Sequence, residues 1–254
     1  MILSAENLTL GYPGKSLCQN LSVTMQPGEC WGILGRNGCG KSTLLHALGG
    51  LFKPLSGNVT IEGQSVTSMP RLELAQTMGL LLQEESSLFS GTVRDYVRFG
   101  RFPHHPSMAG KDEEGEAHVQ NALECLELID LASRLVGTLS GGERQRVRIA
   151  MLLAQTPDIY GLDEPLLHLD ICHQATTMKL LRDLAVMQRK IVVMVLHDTL
   201  WASRYCDRVL LLYEDGGSVS GAARDLLTKG NLEELYGCKM QALMIENDMH
   251  YVPH

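Results

Sequence analysis

The stretch "ECWGILGRNGCGKSTLLHAL" constrains this chain more than any other. It runs from a β-rich segment through a glycine-rich turn into a helix-forming segment, and it fits GxxxxGK[ST] with Gly35, Gly40, Lys41 and Ser42. The glycines allow backbone N–H groups from Arg36 through Lys41 to turn inward. There they and the dipole of the following helix neutralise phosphate oxygens. Lys41 would reach the terminal phosphates, and Ser42 would offer a hydroxyl to Mg²⁺. Asn37, Gly38, Cys39 and Thr43 complete the loop. An exposed Cys39 thiol would have its pKa lowered by the loop's positive field, whereas a buried one is a small filler residue. This turn alone says only that a nucleotide is bound.

A second chemical signal is "DIYGLDEPLLHLD", which puts Asp163 and Glu164 where an apolar strand emerges. Successive strand side chains point opposite ways, so one carboxylate can hold Mg²⁺ while the next polarises a water toward a γ-phosphate. "VVMVLHD" brings His197 to the end of another strand, within the same kind of reach. A third signal, "TLSGGERQRVRIA", is a further glycine turn opening a helix. Ser140 can cap that helix, Gly141 and Gly142 admit a ligand close to the backbone, and Glu143 eases the dipole against Arg144, Arg146 and Arg148. It reads as a second phosphate-binding surface.

The 254 residues suffice for one large or two small domains with a substantial core. A net charge of -7 and few aromatics argue against a nucleic-acid reader, which needs clustered Lys and Arg. "MILSAENLTLGY" is unlike a leader, and runs such as "IVVMVL" fall short of a bilayer span, so a cytosolic chain is expected. Seven cysteines, none in a CxxC pair, suggest neither a disulfide framework nor a zinc site. His104 with His105, and His250 with His254, do not gather enough ligands for a metal.

The first sixty residues alternate short β-rich stretches ("SAENLTLGY", "NLSVTM", "ECWGIL", "GNVTIEG") with turns, and read as a mostly antiparallel region. "MGLLLQ", "DIYGLDEP" and "KIVVMVLHD" read as buried parallel strands of an α/β core. Thr92 to Gln155 reads as helical, a separate lobe. "DRVLLLYEDGGSVSG" reads as a hairpin turning at Gly216 and Gly217, followed by one helix through "AARDLLTKGNLEELYG". The last residues carry no clear pattern.

Together these motifs resemble the ATP-binding cassette (ABC) ATPase family, in the family's order along nearly the whole chain. The phosphate loop is "GRNGCGKST", Gln83 in "LLLQE" matches the glutamine loop, "LSGGE" the signature and "LDEP" the acidic strand. "HLD", ending in Asp170, matches the D-loop, His197 the switch histidine, and Tyr12 in "LTLGYPG" the aromatic that stacks on adenine. The resemblance implies a single α/β cassette over 1–254 with a P-loop (RecA-like) core, an N-terminal antiparallel β region and an inserted α-helical lobe. The core would be 1–83 and 156–254, and the lobe 84–155. Glu164, His197 and Gln83 would be catalytic, and Ser42, Gln83 and Asp163 would hold Mg²⁺. ATP would be bound by Tyr12 and the phosphate loop, and from a second copy by Ser140, Gly141, Gly142, Glu143 and Asp170.

Finer likenesses, in "GRFPHHP", "VLHDTLWASRYCDRVLLLYEDG" and "NLEELYG", are to ATPase subunits of bacterial importers for iron-siderophore, haem and cobalamin-type chelates. They imply a homodimer at the cytoplasmic face of the cell membrane, multi-span permease subunits and a substrate-binding protein. Residues from about Gln83 to Gly100, with Leu88 and Phe89, would meet the permease or else form a folded surface loop with two core anchors. The rival readings are a soluble ABC ATPase scaffold of the iron-sulfur-cluster assembly kind, and a phosphoryl-transfer kinase. The kinase leaves "LSGGE", Gln83 and His197 unexplained. Departures from the family pattern are Tyr160 and Gly161 inside the acidic strand and Leu166 and Leu167 after it, where activity or subunit communication could be altered.

Overall fold

The computed structural model describes residues 1–12, 14–83, 89–105, 113–245 and 248–254. The chain divides into two compact units, Met1–Met69 with Leu181–His254, and Pro70–Leu180. In chain order the first unit opens with β1 (Leu3–Tyr12), β2 (Lys15–Met25), β3 (Cys30–Gly35), α1 (Lys41–Leu48), β4 (Ser56–Ile61) and β5 (Gln64–Ser65). The second contains α2 (Arg71–Thr77), β6 (Met78–Leu81), α3 (Val93–Arg98), α4 (Glu113–Cys125), α5 (Gly141–Gln155) and β7 (Ile159–Asp163). The division falls within α6 (Ile171–Gln188). The first unit resumes with β8 (Ile191–Val195), α7 (Thr199–Tyr205), β9 (Arg208–Leu212), β10 (Ser218–Ala222), α8 (Ala223–Leu226), α9 (Lys229–Tyr236), β11 (Met240–Ile245) and β12 (Asp248–Pro253).

In the first unit β2, β1, β4 and β5 form an antiparallel sheet, the expected N-terminal β region. One segment assigned to it belongs elsewhere: "CWGILG" is β3, parallel to both β8 and β9. All six β3 residues are buried, unlike the alternating burial of β2, so β3 needs cover on both faces and takes a central place in a parallel sheet. The hairpin β9 to β10 forms as read, with Tyr213 N–H donating to Gly217 O at 2.9 Å. The single helix expected after it is two, because the Thr228 side chain accepts from Asn231 N–H and caps a fresh start. The C-terminal residues form the hairpin β11–β12, tied to α7 by Thr199 Oγ1 donating to Tyr251 O at 3.1 Å and by a 2.9 Å contact of Ser203 Oγ with His250 Nδ1.

In the second unit β6 and β7 pair in parallel, with Leu80 opposite Gly161. All five β7 residues are buried, Tyr160 among them, and burial pushes its phenol above the ordinary range. Helices α3, α4 and α5 pack on one another and supply the helical part of the unit. Gly100, two residues beyond α3, lies close against α5: a Cβ there would stand 2.1 Å from Met151 O. The α/β class is as expected.

Candidate functional site: a phosphate loop and a tethered carboxylate

In the first unit the fully buried β3 delivers the chain into the loop, and α1 begins where Gly40 turns it. Gly40 has φ 108°, and a Cβ there would also meet Leu17 Cβ at 2.9 Å, so a side chain is excluded twice over. No side chain caps α1, which leaves its first N–H groups to an anion. Lys41 is buried, and its Nζ donates to Gly35 O at 2.9 Å and Arg36 O at 3.0 Å. A buried ammonium held only by neutral carbonyls favours a neighbouring anion strongly. Cys39 is buried, and burial raises its thiol pKa more than Lys41 lowers it, so it is the filler residue and not an activated thiol.

Tyr12 is half exposed and meets Phe52 edge to face, ring centroids 5.5 Å apart. Phe52, in the loop after α1, steadies that ring; its only sequence signal is one aromatic beside "GGL". His197 is exposed just beyond β8. The next residue, Asp198, caps α7 by accepting from Leu200 N–H at 2.7 Å.

In the second unit β7 ends in Asp163, 2% exposed, and Glu164 follows with φ 51°. A left-handed glutamate persists only where its surroundings over-determine it. Gln83 Nε2 donates to Glu164 Oε1 at 3.1 Å, so the structure brings these two expected residues together. Gln145, buried in α5, donates through Nε2 to Pro165 O at 3.0 Å and Glu164 O at 3.3 Å. Sequence reading missed Gln145, because a side chain bonded to backbone carbonyls leaves no residue-type signal at its partner.

The second glycine turn is built as read. Ser140 Oγ accepts from Glu143 N–H at 3.3 Å while Glu143 Oε2 accepts from Ser140 N–H at 2.7 Å, a capping box. The Ser140 backbone N–H first, then its hydroxyl, holds the Glu143 carboxyl below the usual range. Gly142 is required by close approach, since a Cβ there would lie 2.9 Å from His168 O; Gly141 lies against the His168 ring. Asp170 accepts from His173 N–H at 2.9 Å and meets His173 Nδ1 at 2.7 Å, which lowers its carboxyl pKa. Leu167 is exposed and Leu166 partly so.

Of the loop after Gln83, Glu84 to Leu88 lie outside the described residues. Phe89 is half buried, edge-on to Tyr96 at 5.2 Å and to Phe99 at 5.5 Å. His104 Nε2 meets Gln155 O at 2.9 Å. Among the described residues no three His, Cys, Asp or Glu side chains gather to hold a metal ion.

The ABC transporter family model matches residues 18–167. The ferric enterobactin transport ATP-binding protein FepC of Escherichia coli strain K12 is 37% identical over 251 residues, covering 99% of this chain and 92% of its own. A metal-chelate type ABC transporter solved in an inward-facing conformation superposes with a TM-score of 0.85 at 33% identity, covering 99% of this chain and 97% of that one. A bacterial ABC transporter cassette solved as a dimer superposes with a TM-score of 0.78 at 30% identity, covering 87% and 98% respectively.

Proposed function

This chain belongs to the ABC transporter family, and we propose that it is the ATP-hydrolysing subunit of an importer for a metal chelate of the siderophore, haem or cobalamin class. The observation that carries the enzymatic half is the 3.1 Å contact between Gln83 and Glu164, which holds one carboxylate in a fixed place beside the buried Asp163. Glu164 orients and polarises the attacking water. Loop N–H groups from Arg36 through Lys41, with the Lys41 ammonium, hold the phosphates, and Tyr12 stacks on the adenine. His197 contacts the γ-phosphate or the attacking water.

The family resemblance assigns Mg²⁺ to Ser42, Gln83 and Asp163, whose hydroxyl, amide and carboxylate oxygens are each the hard donors that ion takes. When bound, that ion neutralises phosphate charge. The α5 N-terminus, with its side-chain cap spent on Glu143 and glycines at its first two positions, presents backbone N–H groups to the γ-phosphate on a second copy. Asp170, which the family resemblance matches to the D-loop, would join it there. Shared ATP would close the pair, and hydrolysis would open it, converting nucleotide turnover into motion. We retain 1–83 with 156–254 as the catalytic core and 84–155 as the helical lobe in this reading.

Cargo and partners are inferred from the likeness to FepC and to the metal-chelate type transporter. Among the described residues no helix is long and apolar enough to cross a membrane, so transport would require separate spanning subunits at the membrane's inner face, and a substrate-binding protein beyond them. Affinity capture from detergent-solubilised membranes tests this. Recovery with a multi-span apolar subunit supports the importer; stable recovery with soluble proteins alone supports the scaffold alternative and rejects it.

A further inference from the structure

We propose that Arg148, acting with Gln145 one turn before it on α5, is a positioning residue for ATP hydrolysis that fixes where Gln83 stands against Glu164. Arg148 Nη1 donates to Gln145 Oε1 at 2.8 Å, and Nη2 donates to the carbonyl of Leu82, the residue before Gln83. Gln145 Nε2 in turn donates to the carbonyls of Glu164 and Pro165. Both ends of the Gln83–Glu164 contact are therefore moored, through their own backbones, to one pair of side chains on one helix.

The chemistry of that pair admits a single arrangement. An amide can flip, but Arg148 has only donors and must face the amide oxygen, so the Gln145 NH₂ group is turned toward the two carbonyls. Without Arg148 the Gln145 oxygen loses its donor, and the side chain is held at its NH₂ end alone, by the carbonyls of Glu164 and Pro165. Those carbonyls belong to the turn that holds Glu164 in its left-handed conformation, so a looser Gln145 loosens that turn. At the same time the Leu82 carbonyl loses its donor, and the arm carrying Gln83 is freed. A planar fork spans the two acceptors, whereas the single ammonium of lysine serves one well. Because α5 also begins at the Ser140 capping box, a shift of this helix is transmitted to Glu164 through Gln145 and Arg148.

The inference rests on the assignment of Gln83 and Glu164 to hydrolysis, and its test separates the two. Arg148→Ala, Arg148→Lys, Gln83→Ala and the double variant Gln83→Ala/Arg148→Ala are compared for kcat, KM for ATP, and binding of a fluorescent ATP analogue. We expect Arg148→Ala to lower kcat by about 10- to 100-fold, the scale of a misplaced catalytic group, with KM and analogue affinity within about twofold. In the Gln83→Ala background the further loss should stay under about threefold, since the two act as a unit. Arg148→Lys should show the same pattern at smaller size, and it decides the matter if Arg148→Ala does not fold. The inference is overturned if Arg148→Lys matches wild type in kcat, if KM rises in proportion to the loss, or if the losses multiply in the double variant. Full activity in Gln83→Ala would remove the site assignment and this inference with it. Impaired Gln83→Ala beside unimpaired Arg148 variants would remove this inference alone.

Discussion

Gln83 holds Glu164 by one amide hydrogen bond of 3.1 Å, from a residue 81 positions earlier in the chain. The bond fixes where that carboxylate stands, which a group that positions water requires. The same amide is expected to serve Mg²⁺ through its oxygen, so one side chain can register the phosphate end of the nucleotide and the base together.

Glu164→Gln should abolish steady-state turnover, lowering kcat by about 100-fold or more, the scale of a lost general base. Nucleotide binding should survive. Sizing chromatography with ATP should then show a dimer that dissociates when ATP is removed. Turnover near wild type would reject Glu164 as the base.

Tyr12 presents its ring beside Phe52 and has no other expected role. Stacking of a base on an aromatic contributes about 1–3 kcal/mol, so Tyr12→Ala should weaken ATP binding by about 5- to 150-fold while Tyr12→Phe retains it. Equilibrium titration with a fluorescent nucleotide measures both. Equal affinity of all three proteins would remove Tyr12 from the site.

Glu143 gives stability a readable pH dependence. Its folded pKa lies below the ordinary 4.5, so the native state binds the proton less tightly than the unfolded chain. The contribution is present in full above 4.5 and is lost as pH falls below 4.5 through the folded value. Urea unfolding of wild type and Glu143→Gln across that window should show curves that converge toward acid. Parallel curves would contradict the capping-box assignment. At neutral pH, Ser140→Ala should cost about 1 kcal/mol, the usual worth of a helix cap.

Gly100→Ala tests the packing of the second unit. The added methyl would meet Met151 O at 2.1 Å, a backbone atom that cannot rotate away. A cost of about 1–3 kcal/mol is expected, as for other overpacked sites, and should appear as a lower urea midpoint. An unchanged midpoint would mean that α5 yields there freely.

What could be read from residues alone was the chemistry written in side-chain type and spacing. "GRNGCGKST" required glycine at Gly40, and Ser140 with Glu143 three residues later is itself a capping-box signature. Placement of β3 was harder, because its flanks look like those of the antiparallel strands and only its two-sided burial separates it. Gln145 and Arg148 were invisible as a unit: they bond to carbonyls, which every residue has. The terminal hairpin was illegible for a related reason, since its hold on α7 runs through Tyr251 O and one Ser203–His250 contact and not through a run of apolar residues.

That hairpin has a mechanical side. His254 N–H closes onto Lys239 O at 2.9 Å, and β12 grips α7, whose cap Asp198 adjoins His197. Loosening β12, as by Tyr251→Pro, would thus slacken α7 and the Asp198 cap at its start, and should read out as faster amide exchange over Thr199–Tyr205.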